Sequence, residues 1–200
     1  MSILDVKSKV ECFKDEIKYI KNKDFVEDFK TLIDLIPDYF FEVPASSTGK
    51  YHPKFSLGDG GLLRHTKAAV RIAYELLNDP CIGNKYTNNE KDLMLIALTM
   101  HDSVKSGIPK EQYTRFDHPL LASKLIKENN DKLKHMKESE IKLICRVIES
   151  HMGPWNQHPY TKEEVLPVPK DKYENFVHMC DYLASRKFLE VTFEDNRIVE

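Results

Sequence analysis

No apolar run in this chain approaches the roughly 20 residues that a helix needs to cross a bilayer. The longest, Leu93 to Met100, is far shorter. No basic stretch followed by an apolar segment opens the chain, so a secretory leader is not expected. The four cysteines, Cys12, Cys81, Cys145 and Cys180, are far apart and form no C-x-x-C pair, which argues against a disulfide framework and for reduced thiols packed as small hydrophobes. An excess of one charge is missing too. Lys and Arg number 30 against 32 Asp and Glu, a formal charge of −2, so no global field favours nucleic acid or an acidic membrane. Any anion has to be attracted locally. There is no internal repeat and no low-complexity tract. These absences lead to the expectation of a soluble, cytoplasmic protein with no membrane association and no protein partner.

What is present is helical periodicity. With 200 residues and 41% hydrophobic content, the chain is large enough to bury one core without disulfide or zinc staples. Ile3, Val6, Val10, Phe13, Ile17 and Ile20 recur at spacings of three and four, which predicts a first amphipathic helix. Phe25, Phe29, Ile33 and Ile36 predict a second, ended by Pro37. From Asp38 to Gly60, through Tyr39 to Pro53, the period disappears and turn formers accumulate, so a long loop is expected there; such loops are often functional. A third helix is predicted from about Gly61 to Leu77, stopped by Asn78-Asp79-Pro80.

Thr87-Asn88-Asn89-Glu90 reads as a capping box that opens the next helix. Pro119 suits the first turn of a fifth helix running to about Asn129, and Ser139 is the expected cap of a sixth. An irregular, proline-rich segment from Trp155 to Pro169 precedes a last helix around Tyr173 to Leu183. The tail from Glu190 to Glu200 reads as a small hairpin or a frayed end. The expected fold class is therefore all-α, one domain overall. Residues 1–50 form N-terminal helices and a loop packed on a core of residues 51–186, and residues 187–200 form a tail.

The chemistry concentrates at His101-Asp102, which closes the apolar run Leu93 to Met100; ionisable groups rarely end a core segment without partners. Candidate partners are His65, near the start of the third helix, and His118, His151 and Asp181 downstream, each beside or within a predicted helix. Four imidazoles and two carboxylates on successive helices are a donor set suited to one or two borderline transition metals. Adjacent residues on a helix point about 100° apart, so His101 and Asp102 can share a site only if other helices complete it from the sides.

In the order H…HD…H…H…D, and in the segments Gly60-Gly61-Leu62-Leu63-Arg64-His65-Thr66, His101-Asp102-Ser103-Val104-Lys105 and Phe116-Asp117-His118-Pro119, the chain from Tyr51 to Arg186 resembles the HD-domain superfamily of metal-dependent phosphohydrolases. The two extra histidines make it similar to the binuclear branch, which includes cyclic-nucleotide and cyclic-dinucleotide phosphodiesterases and some diiron oxygenases. Its first two segments also look like the HD module of certain bacterial exoribonucleases and stand-alone HD hydrolases. Val104 stands where those modules usually carry a glycine, and no Gly-Tyr-Pro motif is present.

The resemblance implies a helical bundle with long active-site loops. It also implies a first metal on His65, His101, Asp102 and Asp181, with Asp102 bridging to a second on His118 and His151. The expected cofactor is a divalent transition metal, two ions, Mn or Fe, with Co, Ni or Zn as alternatives. The implied activity is hydrolysis of a phosphoester or phosphodiester of a nucleotide, cyclic nucleotide or short oligonucleotide by metal-activated hydroxide. The alternatives are a mixed-valent diiron oxygenase and a nucleotide-binding module with little turnover.

Around that set, Asp102, Lys105 and His52 are the catalytic candidates, and Lys105, Arg115 and Arg64 the candidates for binding a phosphorylated substrate. Lys105 follows the HD pair by three residues, where an ammonium can neutralise phosphoryl charge, although a solvated turn lysine is the plain alternative. His52 lies in the long loop between Lys50 and Lys54, with phosphate contact, proton transfer or an idle loop contact all open. Trp155 has two readings, a platform for a base or a cover over the core.

Overall fold

The computed structural model describes every residue except Met1, Ser2, Val6, Ser47, Tyr51 and Glu200. Val6 on the first apolar stripe, Ser47 and Tyr51 in the long loop, and Glu200 at the tail therefore lie outside the described residues. The architecture is all-α. A central layer contains α4 (Gly61–Asn78), α6 (Asn88–Met100), α8 (Glu138–Glu149) and α9 (Lys172–Ala184). Of these, α4 packs on α6 and α9, and α6 on α8, while α7 (His118–Glu128) closes the outer side of α8.

The middle of α6 is buried on all sides, from Asp92 to Met100. A helix apolar all round belongs at the centre of a core, and its end carries His101 into the interior. Its start is fixed by the expected capping box: Thr87 Oγ1 accepts from Glu90 N–H at 3.3 Å, and the Glu90 carboxylate accepts from Thr87 N–H at 2.7 Å. The flanking helices are amphipathic. Helix α8 buries Ile141, Ile144, Val147 and Ile148, and α4 buries Leu62, Leu63, Ala69, Ala73 and Leu77.

The N-terminal segment departs from the single predicted helix. A 3-10 turn (Ile3–Asp5) is followed by α1 (Lys9–Cys12) and α2 (Lys14–Tyr19), broken at Phe13. Ser8 caps α1 by accepting from Glu11 N–H, and Phe13 leaves helical geometry at φ −108°, ψ 19°. The reason is packing: Phe13 is fully buried against Phe40 and Phe41, its ring 6.2 and 6.0 Å from theirs. Burying each such ring is worth roughly 1.5–3 kcal/mol, more than one helical hydrogen bond contributes net. Helix α3 (Lys23–Leu35) follows as expected, capped by Asn22.

The described residues of the Asp38–Gly60 stretch are not uniformly loop. It contains two 3-10 turns, Asp38–Phe41 and Lys54–Ser56. Backbone bonds from Gly60 to Glu42, Leu62 to Val43 and Ala45 to Ser56 tie it to the start of α4. Gly61 has to be glycine here, since a Cβ would sit 2.3 Å from the Ser56 carbonyl.

Two smaller differences have local causes. Asp79-Pro80 ends α4 but also starts α5 (Pro80–Gly83), because Asp79 accepts from Cys81 N–H and proline suits a first helical position. Helix α8 begins before Ser139, which lies inside its first turn; Lys137 is the N-cap residue, and its N–H donates to the Glu140 carboxylate at 2.7 Å. The tail forms the hairpin reading, β1 (Phe193–Glu194) pairing antiparallel with β2 (Arg197–Ile198). All four cysteines are unpaired thiols, three of them buried. No helix among the described residues is long and apolar enough to cross a membrane.

Candidate metal centre

His65 from α4, His101 and Asp102 just past α6, His118 at the start of α7, His151 past α8 and Asp181 on α9 meet in one place. All but Asp181 are essentially buried, and its side chain is 17% exposed. They form three overlapping groups that could hold a metal ion: His65, His101 and Asp102; His101, His151 and Asp181; Asp102, His118 and His151. The donor atoms within each group lie within 4.8 Å of one another.

Asp102 stands between these groups. Its Oδ2 lies 3.4 Å from His101 Nε2 and 3.9 Å from His65 Nε2, whereas its Oδ1 lies 2.9 Å from His118 Nε2 and 3.8 Å from His151 Nε2. Asp181 Oδ1 adds contacts of 2.9 Å to His65 Nε2 and 3.3 Å to His101 Nε2.

The tautomers follow from backbone contacts. His101 Nδ1 lies 2.6 Å from the Leu98 carbonyl, His118 Nδ1 2.7 Å from that of Arg115, and His151 Nδ1 2.7 Å from that of Ile148. A carbonyl only accepts, so each Nδ1 carries a proton, and each ring in its neutral form presents its Nε2 lone pair inward. Each bond runs back three residues, and those of His101 and His151 reach carbonyls in the last turns of α6 and α8. His65 is the exception, its buried Nδ1 lacking a partner.

Inward lone pairs with nothing to receive them are costly. His118 Nε2 and His151 Nε2 lie 3.3 Å apart, and His101 Nε2 and Asp102 Oδ1 are buried without a hydrogen bond. Donors of this kind, fixed from behind and converging on carboxylate oxygens, fit a divalent transition metal. In the metal-free site a proton takes part of that role. Burial opposes charge on His101, but Asp102 and then Asp181 outweigh it and push its pKa up to about 10. His151 goes the other way, to about 3, through burial and then the charge on His101. Burial works against ionisation of Asp102 and Asp181, yet Lys105 and His101 hold Asp102, and His101 and His65 hold Asp181, well below the usual carboxylate range.

The centre forms the floor of a cavity of about 570 Å³. Lys105 and His52 are on its wall. Lys105 Nζ donates to Asp102 Oδ2 at 2.5 Å. His52 packs edge-on to His65 at 5.3 Å, and burial, then His65 and Lys105, lower its pKa to about 3. Arg64 and Arg115 stand outside the cavity. Arg64 donates to the carbonyls of Phe55 and Leu57 and to Asn196 Oδ1, fastening the long loop and the tail to α4. Arg115 is forked onto Asp117, with both bonds 2.8 Å, and also pairs with Glu111. Both guanidiniums are engaged by these partners.

Other wall residues were not singled out from sequence for this cavity: His178, Tyr182 and Arg186. The signal was available, because positions 178, 182 and 186 follow the helical four-residue spacing beside Asp181. His178 Nδ1–H donates to the His151 carbonyl at 2.7 Å and so braces the loop that carries His151. Gly153, at φ 61°, makes room for it, since a Cβ there would fall 2.2 Å from the His178 ring.

The HD-domain family model matches residues 60–186 of this chain, which spans every donor described above. The chain belongs to the HD-domain family, a superfamily of metal-dependent phosphohydrolases. No curated protein and no solved structure matches it.

Proposed function

We propose that this HD-domain protein hydrolyses a phosphoester or phosphodiester of a nucleotide or short oligonucleotide, with one ion held by His65, His101, Asp102 and Asp181 and a second by Asp102, His118 and His151. The observation that carries the reading is the Asp102 carboxylate, one oxygen turned to His65 and His101 and the other to His118 and His151. Mixed imidazole and carboxylate donors suit Mn or Fe. A divalent ion there supplies Lewis-acid polarisation of a phosphoryl oxygen and a water of lowered pKa.

The remaining work falls to the chain. Lys105, on the wall beside Asp102, places an ammonium where phosphoryl charge develops. His52 stays neutral and offers a hydrogen bond at its buried, unpartnered Nδ1 rather than a resident positive charge. The backbone carbonyls behind His101, His118 and His151 keep the three rings oriented. Burial of His65, His101, Asp102, His118 and His151 in the floor strengthens each of these interactions.

The test is anaerobic reconstitution of metal-free protein with Mn or Fe, followed by phosphomonoesters, cyclic nucleotides and short RNAs. Metal-dependent release of phosphate or nucleotide, lost in Asp102→Asn, is expected. Iron-dependent consumption of O₂ without hydrolysis, or full hydrolysis by Asp102→Asn, would overturn it.

A further inference from the structure

Trp155 is the only tryptophan in the chain, and it is 51% exposed although it lies on the wall of the cavity that holds the candidate centre. It therefore does not cover the core. Its ring lies nearly parallel to that of Tyr182, 12° between planes and 5.7 Å between centroids. The Arg186 guanidinium sits 4.1 Å from the Tyr182 centroid. His178 touches both rings, at 6.2 and 6.1 Å.

These groups are held from behind. Tyr182 lies in the last turn of α9, the helix that also carries Asp181, and Arg186 lies two residues past its end. Trp155 follows the Gly153 bend, which is pressed against His178, itself bonded to the His151 carbonyl. Ordering an exposed indole costs side-chain entropy, and leaving its face to water forfeits apolar burial. A flat partner recovers that burial.

We propose that Trp155, supported by Tyr182 and Arg186, is a stacking platform for the nucleobase of the substrate, so that the ligand class is a phosphorylated nucleoside rather than an aliphatic phosphate ester. The proposal rests on the phosphohydrolase reading, which puts the phosphoryl group beside Lys105 on the same cavity wall. A volume of about 570 Å³ lies within the range of about 300–1,000 Å³ typical of small-molecule sites. Stacking on an indole uses the π-face that every base has, so the platform selects for a base without selecting strongly among bases. Arg186 adds a positive charge beside that platform.

The single tryptophan supplies the assay. Zn-loaded protein is titrated with AMP and, separately, with ribose 5-phosphate, reading tryptophan fluorescence by rapid mixing and heat by calorimetry. AMP is expected to quench Trp155 and to bind more tightly than ribose 5-phosphate, which should leave the fluorescence unchanged. In calorimetry, Trp155→Ala should weaken AMP by about 10- to 100-fold, the usual worth of one stacked base, and leave ribose 5-phosphate within about twofold. Trp155→Phe, which keeps a flat ring, should recover most of the loss and guards against a misfolded alanine variant. Equal binding of the two ligands, with no effect of Trp155→Ala on either, overturns the base platform and leaves the phosphohydrolase reading standing. Binding of neither ligand overturns both.

Discussion

Replacing Asp102 with Asn removes one negative charge and one donor oxygen while keeping the shape of a side chain that is almost fully buried. Because its two oxygens face different histidine pairs, the change weakens both halves of the centre at once. The consequence is measurable without a substrate. An ion bound only by the folded state raises stability by RT ln(1 + [L]/Kd), about 2.7 kcal/mol when free metal is about 100 times Kd. For a domain of this size, about 2–4 °C accompanies each kcal/mol, so the wild-type protein should gain roughly 5–10 °C on addition of Mn. If losing the shared carboxylate raises Kd by about 100-fold, the same metal concentration stabilises Asp102→Asn by about 0.4 kcal/mol, or roughly 1 °C.

The assay is thermal unfolding of each protein with and without metal, comparing shifts rather than midpoints. That subtraction cancels any intrinsic effect of the substitution, including the lost pairing with Lys105 at 2.5 Å. An Asp102→Asn shift as large as that of wild type would refute the assignment of Asp102 as shared ligand. Metal-to-protein ratios on the same samples, about two falling towards one in His118→Ala, supply the stoichiometry that a binuclear centre requires.

Lys105→Ala should retain its metal and lose about 100-fold in kcat/KM, the size expected for one positioned electrostatic contact; unchanged kinetics on a hydrolysed substrate would remove Lys105 from the reaction. The metal-free protein should be most stable near pH 6.5. His52 and His151 are held at about 3, below the unfolded value of 6.5, so the unfolded chain binds more protons as pH falls from 6.5 towards 3 and stability drops. His101, raised to about 10, contributes stability that is complete below 6.5 and disappears as pH rises towards 10. Denaturant midpoints that stay flat across pH 4 to 10 would contradict both signs. Asp28→Ala should destabilise the fold by about 3 kcal/mol, since its buried carboxylate accepts from the N–H groups of Lys134, His135 and Met136 at 2.7–2.9 Å, and urea unfolding measures the loss.

The difference between what the sequence disclosed and what it hid follows from the range of the interactions. Helix periods, the Thr87 capping box and the end of α6 at His101-Asp102 depend on residues within a few positions, so they were legible. The break at Phe13 was not, because both a continuous and a broken helix keep the same apolar phase; the choice rests on Phe40 and Phe41, which are distant in sequence. Asp79-Pro80 signals a stop in the sequence, yet the same two residues equally make a start.

Among the charged residues, free and committed cations look alike in sequence. Lys105 and Arg115 both follow the HD pair, yet one lines the cavity and the other is locked by Asp117 and Glu111. Arg64 sits beside His65, yet its guanidinium points to Phe55, Leu57 and Asn196, the last 132 positions away. The six proposed ligands escape this ambiguity for a chemical reason. A buried cation such as Lys67 has its charge balanced by a single carboxylate, that of Glu16 at 2.5 Å. The rings of His101, His118 and His151, whose Nδ1 atoms face backbone carbonyls, have only Nε2 left to point inward, towards Asp102 and Asp181. The order of these residue types points to the candidate centre from the sequence alone. Trp155 is the opposite case: its residue type permits a core cover or a platform, and only its exposure beside Tyr182 separates the two.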